Sequence, residues 1–422
     1  MNLRRCNRRQ FSAGLAALGT GTLVRPARGQ SPGRVVVAGG GFAGATCARA
    51  MRVAGAEVTL LEPQPTYTAC PMSNAVLAGL RDMAAQSFGY DPLRRAGVEV
   101  RQQAAVAVET VRREVVLADG ARLAYDRLVL APGVDLRFDA LPGYDETAAE
   151  IMPHAWKAGP QTELLRRQLE AMPEDGVVVM TVPANPYRCP PGPYERASLI
   201  AHYLKTAKPR AKLLVLDAKD RFSKQGLFEA AWAELYPGLI EWVPLSGGGN
   251  VVAVNAKTRT LVTEFGEYRA DVANVIPPQR AAALADAAGV ADASGWCPID
   301  PVTFESRLQP LVHVIGDAAI AGAMPKSAFA ANAQAKACAV AVTALLGGET
   351  PPEPRLINTC YSLVAPDYGI SIAGVYRPSG GLLTEVEGAG GVSPKDVPRA
   401  FRAKEAAYAE AWFEAIGMEV FG

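Results

Sequence analysis

The sequence predicts an α/β fold that contains two Rossmann-like dinucleotide-binding domains and a C-terminal α+β interface domain. Three observations predict it: an apolar strand runs into a glycine-rich turn over 34–44, a second apolar strand spans 177–182, and a third ends in Gly-Asp over 311–317. Unbroken apolar runs are typical of parallel strands that are buried on both faces. A chain of 422 residues with 49% hydrophobic residues is long enough for two or three such domains.

The first strand, Arg34–Ala38, leads directly into a dinucleotide fingerprint. Its glycines follow the G-x-G-x-x-G pattern at Gly39, Gly41 and Gly44. They let the backbone turn tightly and approach a pyrophosphate at the N-terminus of the next helix, which we predict over 45–53. A second strand over 57–61 ends at Glu62, where an acid accepts hydrogen bonds from an adenosine ribose. This order of elements predicts that FAD or NAD binds here.

Two later segments bear on which of these cofactors binds. A strand over 125–130 ends in a small-residue turn with Ala131 and Gly133, and the strand over 311–315 ends in Gly316 and Asp317. Each segment alone also suits an ordinary α/β sheet. Both resemble elements of the glutathione-reductase-like flavoproteins, in which the Asp of Gly-Asp contacts the ribitol or pyrophosphate of FAD. The resemblance implies FAD, with Asp317 in that role.

The second dinucleotide-like domain has an unusual loop. Its strand over 177–182 is followed by a segment with five prolines over 183–193 where a phosphate-binding glycine loop is expected. Prolines lack the N–H groups that a phosphate cradle requires. We therefore expect no NAD.

The N-terminus resembles an export signal. Arg8-Arg9 and Phe11 precede a mildly apolar run over 12–24 and a small-residue site over 27–29, a pattern typical of twin-arginine signal peptides. The alternative is a membrane anchor, but the run is shorter than the ~20 residues that span a bilayer. We predict a periplasmic protein and, because no other segment reaches spanning length, no membrane span.

The charge balance excludes one class of partner. The formal net charge is +1, whereas nucleic-acid-binding proteins usually have a basic excess, so we expect no nucleic-acid partner. Residues 1–29 hold six arginines and no acid, so without them 37 of the 43 Lys and Arg remain against 42 Asp and Glu, a net charge of −5. The exported protein is predicted to be mildly acidic.

The seven cysteines exclude several metal and haem sites. No C-x-x-C spacing occurs, and the chain has only three histidines. The sequence therefore predicts no zinc ribbon, no thioredoxin motif and no bound metal, and any c-type haem must be on a partner chain. Cys6 lies in the leader, and Cys47 and Cys338 lie among alanines, where small core residues are expected.

Five segments resemble the flavoprotein subunit of flavocytochrome c sulfide dehydrogenase. They are long, unusual sequence segments, and three of them contain a cysteine: 154–159, 189–198, 276–281, 295–298 and 358–366. The resemblance covers essentially the whole chain after the leader. It implies a sulfide-oxidising FAD enzyme that acts on a small inorganic sulfur compound.

The resemblance also assigns roles to two distant cysteines. It implies that Cys189 and Cys360 form a redox-active disulfide beside the flavin. Sulfide attacks such a disulfide and leaves a persulfide and a thiolate, from which electrons reach FAD. From the residues alone, a structural disulfide between domains or two unpaired core cysteines are alternatives.

Three further residues take roles from the same resemblance. Cys70 matches the cysteine that joins the flavin through a thioether, the alternative being a small buried cysteine. Glu195 matches a base that takes a proton from sulfide, or it caps the helix that we predict over 196–205. Lys326 precedes the alanine-rich helix whose N-terminus points at the flavin, and it either helps there or is a solvated surface lysine.

The resemblance implies that electrons leave for a c-type, commonly di-haem, cytochrome subunit. One alternative is a membrane-associated sulfide:quinone oxidoreductase that lies on lipid through its C-terminal helix. Acids outnumber bases over 396–421, so we instead predict core packing for the apolar stripe at Phe401, Tyr408, Trp412, Ile416 and Val420. The other alternative is a non-catalytic accessory flavoprotein of a thiosulfate-oxidising system.

The predicted organisation follows from these assignments. It comprises a signal peptide, two parts of an FAD-binding domain around an inserted second dinucleotide-like domain, and a C-terminal interface domain: 1–29, 30–147, 148–270, 271–355 and 356–422.

Overall fold

The computed structural model describes residues 33–422. The predicted signal peptide over 1–29 therefore lies outside the described residues, and export remains a prediction. The α-helices are α1 Phe42–Val53, α2 Ser73–Leu77, α3 Asp91–Arg95, α4 Glu146–Ala149, α5 Pro160–Ala171, α6 Gly192–Ala207, α7 Gln225–Leu235, α8 Leu284–Ala287, α9 Ala328–Leu346 and α10 Arg399–Phe421.

The strands up to the middle of the chain are β1 Arg34–Ala38, β2 Glu57–Leu61, β3 Thr66–Thr68, β4 Ser87–Gly89, β5 Glu99–Arg101, β6 Ala105–Glu109, β7 Glu114–Leu117, β8 Arg122–Ala124, β9 Arg127–Leu130, β10 Val134–Leu136, β11 Val177–Val182, β12 Lys212–Asp217 and β13 Ile240–Val243. The later strands are β14 Val251–Asn255, β15 Thr260–Thr263, β16 Gly266–Arg269, β17 Val272–Asn274, β18 Gln279–Ala281, β19 Cys297–Pro298, β20 Val312–Val314, β21 Ala319–Ile320, β22 Leu356–Ala365, β23 Tyr368–Ser379, β24 Leu382–Glu385 and β25 Gly391–Val392.

The first domain is built on a five-stranded parallel sheet in the order β20-β9-β1-β2-β5. Val35, Val36 and Val37 of the central strand are at most 3% exposed, as expected for a parallel strand covered on both faces. Helix α1 begins at Phe42 and not at the predicted residue 45, because Gly44 already belongs to the first helical turn. The carboxyl ends of β1, β9 and β20 lie side by side, and this edge carries the cofactor fingerprint.

The second domain has a parallel sheet in the order β13-β12-β11-β17. Strand β17 pairs with β11 from Val178↔Val272 to Met180↔Asn274, so the predicted boundary at residue 270 is wrong by several residues. The reason is physical, because β17 covers the edge of β11 that would otherwise leave backbone groups unpaired. The chain then returns to the first domain through β18, which pairs with β10.

The C-terminal domain is an antiparallel sheet with one long helix. Strands β22 and β23 form its central hairpin, β24 and β25 pair with β23, and α10 packs across β23 and α1. The predicted helix from 396 begins at Arg399, after Pro398. Its apolar stripe is only partly buried: Ile416 and Val420 are in the core, whereas Phe401 and Tyr408 are exposed. The prediction of core packing is therefore wrong for those last two residues.

Helix α9 meets the length and hydropathy of a membrane span, the one helix among residues 33–422 that does. The prediction that no segment reaches that length is therefore wrong for α9. Half of the apolar window is buried within the protein, and α9 packs against α1 and β22. The core helix of a soluble domain passes the same test of length and composition.

Candidate active site

A cavity of about 460 Å³ lies at the carboxyl edge of the first sheet. Its wall combines the glycine loop before α1, the loop between β11 and α6, strand β22 and helix α10. It includes every residue that the sequence predicted to bind the cofactor or act in catalysis, except Gly44 and Lys326. Cys189 and Cys360, which are 171 positions apart in the chain, thus share one site with the glycine loop.

The glycine loop has no room for side chains. A Cβ on Gly39 would lie 2.2 Å from the carbonyl oxygen of Ala131, and Gly39 has a φ of +106°. A Cβ on Gly44 would lie 1.8 Å from the carbonyl oxygen of Gly39. These backbones approach each other so closely that only glycine fits, which leaves the N-terminus of α1 open toward the cavity.

Glu62 lies at the end of β2 and contacts the glycine loop. Its carboxylate accepts hydrogen bonds from the N–H groups of Gly40, at 2.8 Å, and Gln64, at 3.0 Å, while the side chain lines the cavity beside Gly41. Glu62 therefore orders the fingerprint loop as well as facing the ligand space.

The opposite wall contains the predicted Gly-Asp pair. Gly316 and Asp317 line the cavity with Ala131 and Gly133, and Gly133 and Gly316 have φ values of +70° and +75°. The Oδ1 atom of Asp317 is buried without a hydrogen-bond partner, and burial raises the pKa of its carboxyl. A buried polar atom without a partner costs free energy, so Asp317 has an acceptor free for a ligand hydroxyl.

Cys189 and Cys360 both line this cavity from opposite domains. Cys189 follows β11 with a φ of +58°, and its N–H donates to the carbonyl of Lys326 at 2.8 Å. The Sγ atom of Cys360, on β22, accepts a hydrogen bond from Nδ2 of Asn358 at 3.2 Å. All six cysteines among residues 33–422 are thiols in this structure, so the disulfide between Cys189 and Cys360 remains a prediction.

Glu195 lies in the first turn of α6 and faces the cavity. Helix α6 begins at Gly192, before the predicted residue 196. The Glu195 carboxylate accepts hydrogen bonds from Nδ2 of Asn74 at 2.8 Å and from the N–H of Leu363 at 3.2 Å. Burial raises the pKa of Glu195, and the Asn74 hydrogen bond and Lys224 charge oppose the rise. This position is compatible with both predicted roles of Glu195, as an acid at the start of a helix and as a base in the cavity that Cys189 and Cys360 line.

Cys70 is half-buried and lines the cavity. Its Sγ lies 3.8 Å from the carbonyl oxygen of Trp156, and the Ser73 hydroxyl donates to its carbonyl at 2.7 Å. The next residue but one, Met72, has a φ of +65°. The Cys70 thiol is therefore presented to the ligand space rather than enclosed in the core.

Lys326 is not where the sequence prediction put it. It does not line the cavity; its Nζ donates to the carbonyls of Asp317 and Ala319, both at 2.8 Å, and lies 3.9 Å from the ring centroid of Trp296. The surface alternative does not fit, because carbonyls and an aromatic face enclose the ammonium, and the flavin-helper role remains a prediction. Burial lowers its pKa to about 8, and Ser327 caps α9 instead.

Sequence reasoning missed several polar residues around the thiols. Arg188 lines the cavity beside Cys189, and its guanidinium donates to the Trp156 carbonyl. The Arg196 guanidinium is buried and held by four acceptors: Oδ1 of Asn74, the carbonyls of His154 and Ala155, and Oδ1 of Asn274. Arg196 lies within the segment 189–198, which was a signal for it, and Arg188 immediately precedes that segment. Lys224 had no such signal.

The residues of the cavity fit an adenine dinucleotide cofactor on two observations. The glycine loop leaves a backbone cradle that a Cβ would fill, and Asp317 keeps a buried acceptor without a partner. Among residues 33–422, no group of three or more His, Cys, Asp and Glu is arranged to bind a metal ion.

Three family models match this chain. One, described as the central region of the sulfide dehydrogenase (flavocytochrome c) flavoprotein chain, matches residues 162–277. Another, for the flavin-binding region of flavocytochrome c sulphide dehydrogenase, matches 352–421, and a pyridine nucleotide-disulphide oxidoreductase model matches 33–179. The sulfide dehydrogenase flavoprotein chain of Chlorobaculum thiosulfatiphilum is 51% identical over 45 residues, which are 10% of this chain and 94% of that sequence. The chain belongs to the flavocytochrome c sulfide dehydrogenase flavoprotein family.

Other relatives match only about a quarter of this family member. A probable ferredoxin reductase of Castellaniella defragrans is 38% identical over 117 residues, which cover 26% of this chain. The chain spans only 28% of the length of that reductase and of the biphenyl dioxygenase ferredoxin reductase of Paraburkholderia xenovorans, which is 34% identical over 116 residues.

Solved structures share the fold over nearly the whole length. The sulfide:quinone oxidoreductase of Aquifex aeolicus aligns with a TM-score of 0.71 at 17% identity over 92% of both chains. Putidaredoxin reductase, in its complex with putidaredoxin, aligns with a TM-score of 0.64 at 21% identity over 90% of this chain and 94% of its own. The predicted fold class is confirmed, and the protein is a flavoprotein of an FAD-dependent oxidoreductase family.

Proposed function

We propose that this chain is the flavoprotein of a periplasmic sulfide dehydrogenase that passes electrons from sulfide through FAD to a c-type cytochrome. The observation that carries the proposal is the convergence of Cys189, Cys360 and Glu195 on the cavity that holds the dinucleotide cradle. Family membership supports the reaction class. The net charge of −5 after residue 29 suits steering of a basic partner.

The two cysteines and Glu195 have separate roles in the proposed reaction. With Cys189 and Cys360 oxidised to a disulfide, hydrosulfide attacks one sulfur, forms a persulfide there and releases the other as a thiolate. Glu195 is half-buried at this wall and takes the proton of an incoming H₂S, so that the attacking sulfur is the anion. Arg188, which faces the same cavity, attracts that anion.

The glycine loop, Glu62 and Asp317 would hold FAD, and Cys70, which lines the same cavity, would form a thioether with it. Bound FAD supplies a two-electron acceptor. Trp412 and Phe329 add apolar lining to the same cavity, with their rings stacked 6.0 Å apart.

The second domain supports a reaction without NAD. Asp217 ends β12, where an acid would accept from a ribose, but its carboxylate already accepts from Tyr194, Trp242 and Lys219 at 2.6, 3.0 and 2.6 Å. The Phe222 ring stacks on Tyr194 at 3.6 Å. These internal contacts support the proposal that no second nucleotide binds in this domain.

Anaerobic addition of sulfide to the purified flavoprotein tests the function. We expect sulfide to bleach the flavin absorbance and added c-type cytochrome, but not a soluble quinone, to restore it. Restoration by quinone alone would identify a sulfide:quinone oxidoreductase. No bleaching with any partner would favour the non-catalytic accessory role.

The thioether at Cys70 predicts a simple outcome. In the wild-type protein, flavin is expected to stay with the polypeptide after denaturation, and in Cys70→Ala all of it is expected to enter the supernatant. The measurement is the visible spectrum of the precipitated protein with the mass of the intact chain. Release of all flavin from the wild type would contradict the thioether.

The Glu195 carboxylate predicts a pH effect. Because burial raises the pKa of Glu195, the acid stays protonated to a higher pH than usual and works as a base only above that pKa. The rate of flavin reduction by sulfide should therefore fall as pH falls through it. Glu195→Gln should lower the rate by about a hundredfold and remove this limb of the profile. The ionisation of sulfide itself is common to both proteins, so a limb identical in the variant would contradict the role.

A further inference from the structure

Lys224 is a buried lysine that is bonded to the backbone of Cys360, and its hydrogen bonds go to neutral groups. It is 8% exposed and immediately precedes α7, with a φ of +62°. Its Nζ donates to the carbonyl oxygen of Cys360 at 2.9 Å and to the hydroxyl of Ser362 at 2.8 Å. The ammonium is thus fixed on β22, the strand that carries Cys360.

Four ionisable groups face this ammonium from the elements packed around it. They are Cys360 on β22, Cys189 before α6, Glu195 on α6 and Glu405 on α10. Burial lowers the pKa of Lys224 to about 8, and the charges of these groups oppose that effect. A buried ammonium is costly unless a negative charge lies close to it.

Neither carboxyl is well suited to be that negative charge. Glu405 already accepts hydrogen bonds from Ser371 at 2.8 Å, from Ser393, and from Arg402 at 3.1 Å. Glu195 has a raised pKa, so it spends part of the pH range neutral. The remaining candidates are the thiolates that form when the disulfide opens.

The two sulfurs differ in their surroundings. Sγ of Cys360 accepts a hydrogen bond from Asn358 at 3.2 Å, and Lys224 is bonded to the same residue's carbonyl. Burial, the charge of Cys360 and the charge of Glu195 raise the pKa of Cys189 well above its usual value, although the charges of Arg188 and Lys224 oppose the rise. A thiol of lower pKa is the better leaving group in disulfide exchange.

We propose that Lys224 is a positioning residue that makes Cys360 the sulfur released as thiolate, so that the sulfide sulfur bonds to Cys189. The inference rests on the proposed function. Hydrosulfide bonds to Sγ of Cys189, the bond between the two cysteine sulfurs breaks, and its electron pair goes to Sγ of Cys360. The hydrosulfide proton stays on the new persulfide, and the negative charge moves to Cys360 beside the ammonium.

The test is alkylation of the reduced flavoprotein by iodoacetamide across the pH range in which thiols titrate, with each cysteine followed by peptide mass spectrometry. For each cysteine, the compared quantity is the midpoint, the pH at which its alkylation rate is half-maximal. This midpoint does not depend on how accessible the thiol is. In the wild type, Cys360 is expected to have the lower midpoint. A lower midpoint for Cys189 would overturn the proposal without any variant.

Substitutions of Lys224 test the effect of its positive charge on Cys360. Lys224→Met and Lys224→Gln should raise the Cys360 midpoint by about one pH unit, which is about tenfold less thiolate at a given pH below it. Lys224→Arg should keep the wild-type midpoint. Should Lys224→Met not fold, Lys224→Gln, which keeps a hydrogen-bond donor, provides the same comparison. An unchanged midpoint in a folded Lys224→Gln protein would overturn the role.

Two controls separate this proposal from its alternatives. Lys208→Met also removes a lysine that donates to a carbonyl, that of Met172 at 2.8 Å, and should leave the Cys360 midpoint unchanged. Ser362→Ala removes a neutral partner of Lys224; a shift there equal to that of Lys224→Gln would indicate structural support only. The midpoints are measurable without turnover, so a chain that fails to oxidise sulfide would refute the proposed function separately.

Discussion

Replacing Cys189 or Cys360 with serine is expected to lower the rate of flavin reduction by sulfide at least about a thousandfold, because a hydroxyl cannot form the disulfide that sulfide attacks. The two single variants and the double variant should be equally inactive, since both sulfurs act as one unit. The measurement is anaerobic stopped-flow absorbance of the flavin with sulfide.

A matched control for these variants is Cys338→Ala. Cys338 is buried on α9 among alanines and does not line the cavity. Its loss should change stability slightly and leave the rate within about twofold of the wild type. Normal flavin reduction in a Cys189→Ser protein with full flavin content would show that sulfide reduces the flavin without the disulfide. That result would contradict the proposed chemistry.

The second large effect is expected from Gly44→Ala. Glycine to alanine inside a helix usually stabilises a protein by about 0.5–1 kcal/mol. Here the new Cβ would lie 1.8 Å from the carbonyl oxygen of Gly39, so the loop must move and the clash outweighs the gain. We expect the free energy of unfolding to fall by at least about 3 kcal/mol and the flavin content to fall with it.

The matched control is Gly226→Ala, which is also within a helix. Its Cβ would meet only the flexible tip of Lys395, at 3.1 Å, which can move aside. Denaturant unfolding and the flavin-to-protein ratio of both variants provide the comparison. Full flavin content and wild-type stability in Gly44→Ala would mean that the loop tolerates a side chain, against the close approach seen here.

Local features account for the parts of the fold that were predictable. Strands such as Arg34–Ala38 and Val177–Val182 match their predicted bounds, because an unbroken apolar run reports burial on both faces. The dinucleotide fingerprint was recognisable because the local backbone geometry requires glycine at fixed positions. Element ends were less predictable, and α6 begins at Gly192 because Pro193 suits the first turn of a helix.

The position of buried charge was decided by tertiary packing. Lys326 was expected at the flavin, yet its side chain turns to the Asp317 and Ala319 carbonyls. Asn74 joins Glu195 to Arg196 across more than 100 residues, and no local pattern indicates such a link. Side-chain direction depends on which acceptors neighbouring domains provide.

The sequence by itself therefore determined the fold class and the cofactor loop, and it singled out Cys70, Cys189 and Cys360 as candidate site residues. These follow from local backbone requirements and from short sequence segments around single residues. Only the tertiary structure decided which groups face those thiols, including Lys224 behind Cys360. The physical reason is that burial and electrostatic contact arise between segments far apart in the chain, when the domains close around one cavity.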